Sequence, residues 1–281
     1  MKQNKSYILF CIFVLAGIYL FVSAPPPLKS EVKLSTTIPI QVALKIVDDE
    51  HARIRKMYTR DIVGAGSKRG LHFREDWEDE NVIAGPLPAQ FLRLIAHSLE
   101  DSEIPLGLYL ASDYAISKSN LLEGEQLFSF KKMKQNNNPV FTYAEDIQRF
   151  VYMVPDVAVA KPCVKCHNEH KDSPKTDWKS GDIMGATTWT SPLKSVSYEE
   201  LFSMLAALNK SVNDAYLQLL AEFKNLPNPP AIGQRWPSEG YFVPELKQFM
   251  KKVQSLNAVY TLRAIAKLSN TNSSISLASN E

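Results

Sequence analysis

The sequence predicts an α+β domain built on an antiparallel sheet, with helices before and after the strands. Three observations lead there. Apolar residues recur at helical spacing in several long segments, while runs of four to nine residues near the middle alternate or are continuously apolar, as strands do. Seventeen prolines and eleven glycines interrupt the chain too often for an all-helical bundle. At 281 residues with 45% apolar content, the chain is long enough for one or two domains with a real core.

The first segment stands apart from that domain. Lys2 and Lys5 precede an uncharged run of 18 residues, Tyr7 to Ala24, long enough for a membrane span or for the core of a signal peptide. Val22-Ser23-Ala24 looks like a cleavage site, but Pro25, Pro26 and Pro27 follow at once, which favours an uncleaved anchor over residues 1–24. Basic residues ahead of the span place the chain from Pro25 onward outside the cytoplasm. The expected location is therefore the inner membrane, single span, with the soluble part in the periplasm. Residues 25–38 read as a linker.

Pro39 to Val63 predicts a long amphipathic helix, with Val42, Ile46, Ile54, Tyr58 and Ile62 on one stripe and Pro39 at its first position. A polar loop opened by Gly64, Gly66 and Gly70 leads to a second helix, Pro86 to Leu99. Strands are expected at 106–111, 140–143, 149–157 and 182–190, with a helix at 122–135 ended by Asn136, Asn137, Asn138 and Pro139. Beyond Pro192, helices at 198–224 and 244–267 make a helical C-terminal extension, 194–268. A Ser/Asn-rich tail, 269–281, is expected to be disordered. No repeat is evident along the chain.

Chemistry concentrates in Cys163-Val164-Lys165-Cys166-His167. Cys11 lies in the apolar first segment, so these are the only cysteines of the exported part. A close pair in an exported domain can be a disulfide, a metal site or a haem attachment site. Two thiols separated by two residues suit the two vinyl groups of one haem, and the adjacent His167 then suits the iron as an axial ligand. A zinc site from Cys163, Cys166, His167 and His170 would need two well-spaced ligand pairs, and His167 adjoins Cys166 too closely. A redox dithiol belongs beside a thioredoxin-like βαβ pattern, which the sequence lacks. The expected cofactor is one covalent haem c.

The stretch Pro162 to Asn168, with His170, Ser173 to Lys179 and Gly181-Asp182-Ile183-Met184-Gly185, closely resembles a family of bacterial haem-binding domains. Gly85 to Phe91 and Asn120 also look like that pattern. The resemblance covers roughly residues 40–193 and implies a PAS-like fold holding a single c-type haem, so that the domain is expected at 39–193. It also implies His167 as proximal ligand and a role in redox or ligand sensing. Some members use an N-terminal cysteine as sixth ligand. This chain has no soluble cysteine outside the attachment pair, so that role does not carry over. The effector modules that often follow such domains are also missing from the sequence.

The candidates for the sixth ligand are His51, Met57 and His72, with His51 favoured; His97 and His170 are weaker. Each has an ordinary reading as well: a solvated helix residue for His51, core packing for Met57, a loop residue for His72. Trp178 and Trp189 read as core or haem-packing residues, and Lys175, Lys179 and Arg149 as either propionate partners or a solvated face. No nucleophile-and-base constellation is present, so no enzyme is expected. A net charge of +2, with its 32 basic residues dispersed, gives no reason to expect nucleic acid. The expectation is a membrane-anchored haem module that senses redox state or a small gas and is read by a signalling or redox protein partner; the alternative is a mono-haem electron-transfer cytochrome.

Overall fold

A computed structural model of the chain describes residues 13–15, 19, 37–79, 81–159, 161–238 and 243–278. Most of the expected membrane segment and most of the linker fall outside these. Among the described residues no helix is long and apolar enough to cross a membrane. Residues 37–267 belong to the larger of two compact units.

The larger unit begins with strand β1, Thr37–Pro39, and helix α1, Ile40–Met57. Pro39 is thus the residue before the helix rather than its first member, because it is held in β1. The helix does not end at the expected glycines. A π-helical stretch, Tyr58–Gly64, and a short turn, Ala65–Ser67, prolong it. Thr59 Oγ1 donates to the Arg55 carbonyl at 2.8 Å, a back-bond that competes with the regular ladder where the π-helix sets in. After the polar loop come two-residue strands β2, Phe73–Arg74, and β3, Gly85–Pro86, then α2, Pro88–Glu100, with Pro88 in its first turn.

The sheet follows: β4, Gly107–Ala111; helix α3, Gly124–Asn136; β5, Val140–Ala144; β6, Arg149–Val157; helix α4, Lys161–Glu169; and β7, Ile183–Ser191. Its order is β4-β7-β6-β5, with every neighbour antiparallel. Side chains alternate across the pleat, so the register divides the faces. Ala111, Val151, Met153 and Ala186 pack on Phe130 and Met133 of α3. Tyr152, Asp156, Thr187 and Trp189 take the opposite face, where α1 crosses: Trp189 Nε1 donates to Asp48 Oδ1 at 2.9 Å, and Arg55 reaches Thr187 and Asp156. Gly185 is required in β7, since a Cβ there would lie 2.7 Å from the Ala111 carbonyl oxygen across the strand pair.

Strand β8, Ser195–Ser197, then leads into α5, Tyr198–Asn225, which opens on a capping box between Ser197 and Glu200. Short strands β9, Ile232–Gly233, and β10, Val243–Pro244, precede α6, Leu246–Ala278. The last helix therefore runs past Lys267 into the segment expected as a disordered tail; extending a helix already formed is less costly than starting one. Nor are α5 and α6 an appendage. They pack on α2 and α1, with Ser98 Oγ donating to Asp214 at 2.9 Å and Arg53 Nε donating to Asn257 Oδ1 at 3.0 Å.

The structure also contains a repeat that the linear sequence does not display. β1 and β8 pair antiparallel with Ile38 opposite Val196, so each strand meets its own equivalent. Tyr58 Oη donates to the Pro86 carbonyl and stacks on Phe91; Tyr216 Oη donates to the Pro244 carbonyl and stacks on Phe249. Both hydrogen bonds measure 2.7 Å, and each second-half residue lies 158 positions after its counterpart, as Tyr216 does after Tyr58. β2 pairs β3, and β9 pairs β10, in the same parallel manner. Phe91 and Phe249 meet edge to face at 6.3 Å, each being the equivalent of the other. Such self-complementary contacts define a local two-fold axis. The frame is thus two strand–helix–loop–helix units, with the sheet inserted between them.

Candidate functional site

The Cys-x-x-Cys-His motif occupies α4, between the end of β6 and the start of β7. Positions three and four apart share a helix face, so Cys163, Cys166 and His167 project together. No residue of α4 is buried, and Cys166 is exposed. The helix rests on a small apolar floor in which Cys163 and Val164 pack on Ala158, Trp178 and Met184. Both thiols are free.

The segment after α4 is tied back over it. Asn168 accepts from the Trp178 backbone N–H at 2.8 Å and donates to its carbonyl at 3.0 Å, so one side chain clamps both polar groups. Gly181, at φ 94°, makes the turn into β7, and its N–H donates to the Ala158 carbonyl. The Trp178 ring stands edge-on to the His167 ring at 6.5 Å. Lys175 pairs with Asp177 and lies 4.8 Å above Trp178. Arg149 begins β6, whose other end leads to α4, and eight residues at about 3.3 Å each put it far from the motif.

Burial pushes the His167 imidazole below its usual value, and His170 adds to that; Asp156 and Glu75 oppose it. Burial likewise raises the Cys166 thiol, helped by Glu75, Cys163 and Glu169. His170 uses both ring nitrogens: Nδ1 accepts from the Asp172 N–H at 3.1 Å, and Nε2 meets Glu75 at 3.2 Å. Among the described residues no group of three or more His, Cys, Asp or Glu side chains is arranged to hold a metal ion.

The residues present fit a haem joined by two thioethers. Two free thiols share an open helix face with an imidazole over an apolar floor. Two buried polar atoms there, His167 Nδ1 and Trp178 Nε1, have no hydrogen-bond partner.

The sixth-ligand candidates are dispersed. His51 is enclosed beneath the sheet, 1% exposed, with its ring edge-on to Trp189 at 5.4 Å and Nε2 unpartnered. Arg55, one turn further along α1, is nearer the end of the sheet that carries the motif. Met57 is buried two residues beyond Arg55, which by helical periodicity turns it to the other side of α1. His72 is exposed in the segment whose Glu75 touches His170. His97 is exposed on α2, 3.4 Å from Glu100. Glu75, Asn168, Arg55 and Asp156 complete the surroundings. Asn168 lay within the motif stretch, but the other three have no local sequence signal.

Taken together, the chain is a mixed α/β protein whose antiparallel sheet carries a surface Cys-x-x-Cys-His helix at one end. It belongs to the Tll0287-like family, which matches residues 40–192, more than half of the chain. No curated protein matches it, and no solved structure does.

Proposed function

We propose that this chain is a membrane-anchored periplasmic protein carrying one covalent haem c on a PAS-like sheet, with Cys163 and Cys166 as the attachment residues and His167 as an iron ligand. The observation that carries the reading is the shared open face of α4, where two free thiols stand with an imidazole above Trp178. Each thiol would add its S–H across one vinyl group, giving a thioether with no leaving group. An antiparallel sheet covered by α1 on one face and α3 on the other supports the PAS-like part. Bound haem supplies a one-electron iron centre with a further coordination position. The chain's own part is to hold His167, to wall one side with Trp178, and to set the local charge through Asp156 and Glu75.

The role proposed is a redox or gas sensor read by a protein partner, rather than a turnover catalyst. A mono-haem electron carrier is the second reading, favoured by the exposure of Cys166, which would bring a haem edge near the surface. Of the sixth-ligand candidates, His51 is favoured by its unpartnered Nε2, and His72 by its segment, whose Glu75 meets His170 one residue after α4.

The test is an optical spectrum of the full chain produced with the c-haem maturation machinery: oxidised, reduced and under CO. A covalent c-type spectrum lost in the Cys163→Ala/Cys166→Ala variant is expected. CO binding to the reduced protein supports gas sensing, whereas indifference to CO supports redox sensing or electron transfer. Absence of covalent haem from the unaltered chain would sink the proposal. His51→Ala and His72→Ala spectra identify the sixth ligand.

A further inference from the structure

Resting on the haem reading above, we propose that the Arg55–Asp156 pair is the electrostatic setting of the iron: Asp156 lowers its reduction potential and Arg55 limits that effect. Arg55 Nη2 meets both Asp156 oxygens at 2.7 Å, and Nη1 donates to Thr187 Oγ1 at 3.1 Å. The side chains are 26% and 30% exposed, so water screens the pair only in part. Asp156 is the next-to-last residue of the strand that leads into α4 and stands two residues before Ala158, in the floor on which Cys163 and Val164 pack.

The repeat supplies an internal comparison. The two halves of the frame share Tyr58 with Tyr216, Pro86 with Pro244 and Phe91 with Phe249, the residues that hold each unit together. On the face of α1 that meets the sheet, the halves diverge. Asp48 and Arg55 have Ala206 and Asn213 at the equivalent positions of α5, where neither charge is kept. The frame itself therefore does not require an arginine at this site. Its guanidinium instead serves the strand end beside the motif.

Ferric haem carries one more positive charge than ferrous haem. A carboxylate near the iron stabilises the ferric form, and a guanidinium beside that carboxylate offsets it. The sign of the effect is thus fixed for each partner. Asp156→Asn raises the potential, Arg55→Gln lowers it, and the double variant returns toward the unaltered value. Arg55→Lys and Asp156→Glu, which keep the charges, stay near it. If the pair only docks α1 on the sheet, potential would not follow charge.

The experiment is a spectroelectrochemical titration of the full-length haem-loaded protein and these five variants, with covalent haem counted for each. Opposite shifts in the two neutralised variants, with the charge-keeping variants close to the unaltered chain, are expected. Potentials that coincide, or that move in one direction for both, overturn the proposal. Should Arg55→Gln fail to fold, Asp156→Asn against Asp156→Glu decides the question alone. Failure of the haem reading looks different, since the unaltered chain would then carry no covalent haem.

Discussion

His51 and Asp48 sit three residues apart on α1, both enclosed against Trp189, and burial drives them in opposite directions. The His51 imidazole is pushed down to about 3, by burial first and Arg55 second. Burial raises the Asp48 carboxyl to about 6, against the Trp189 hydrogen bond. Since His51 titrates below its unfolded value of 6.5, its stabilisation is complete above pH 6.5 and disappears as pH falls through about 3. Asp48 titrates above its unfolded value of 3.8, so its stabilisation is complete below pH 3.8 and disappears as pH rises through about 6. Between pH 6 and 4 the two proton uptakes cancel. Removing Asp48 exposes the His51 slope: relative to the unaltered chain, Asp48→Asn should lose about 1.4 kcal/mol per pH unit across that window. Thermal melts at half-unit pH steps read this, and parallel Tm curves would refute it.

At the scale of elements, two tyrosines make the same contact in the two halves of the frame. Each hydroxyl is buried and donates to a proline carbonyl. Tyr58→Phe and Tyr216→Phe should therefore cost similar amounts, about 1 kcal/mol each, as denaturant midpoints would show. A loss confined to one of them would mean the halves are not mechanically equivalent. Strand spacing gives a sharper case: Gly185→Ala forces a methyl to within 2.7 Å of the Ala111 oxygen and should part β4 from β7, at a cost of more than about 1 kcal/mol. The sequence patterns located the helices and strands of the larger unit well, because each local period reports one buried face. They missed β1 and β8, since three-residue strands carry too little pattern to register. Helix α4 escaped for a related reason: with no buried residue it has no apolar stripe.

For the molecule as a whole, the family match ends at residue 192 while the compact unit runs to 267. Leu208, Val212, Leu219 and Phe223 of α5 are fully buried in that unit. A chain ending after Pro192 loses these contacts and leaves Phe91 without Phe249. It should lose its cooperative melt, as circular dichroism would show; a sharp transition near that of the full chain would make the second half dispensable.

By itself the sequence determined the α+β class, nearly every element of the sheet, and the clustering of two thiols and an imidazole, because each is written in neighbouring residues. Only the tertiary structure decided that the flanking helices form a two-fold frame, that His51 is enclosed under Trp189, and that Arg55 meets Asp156 across 101 positions of chain. Those contacts join residues with no common local period. The two halves of the frame share only the few side chains that touch near their axis, too sparse a pattern to show in a linear reading.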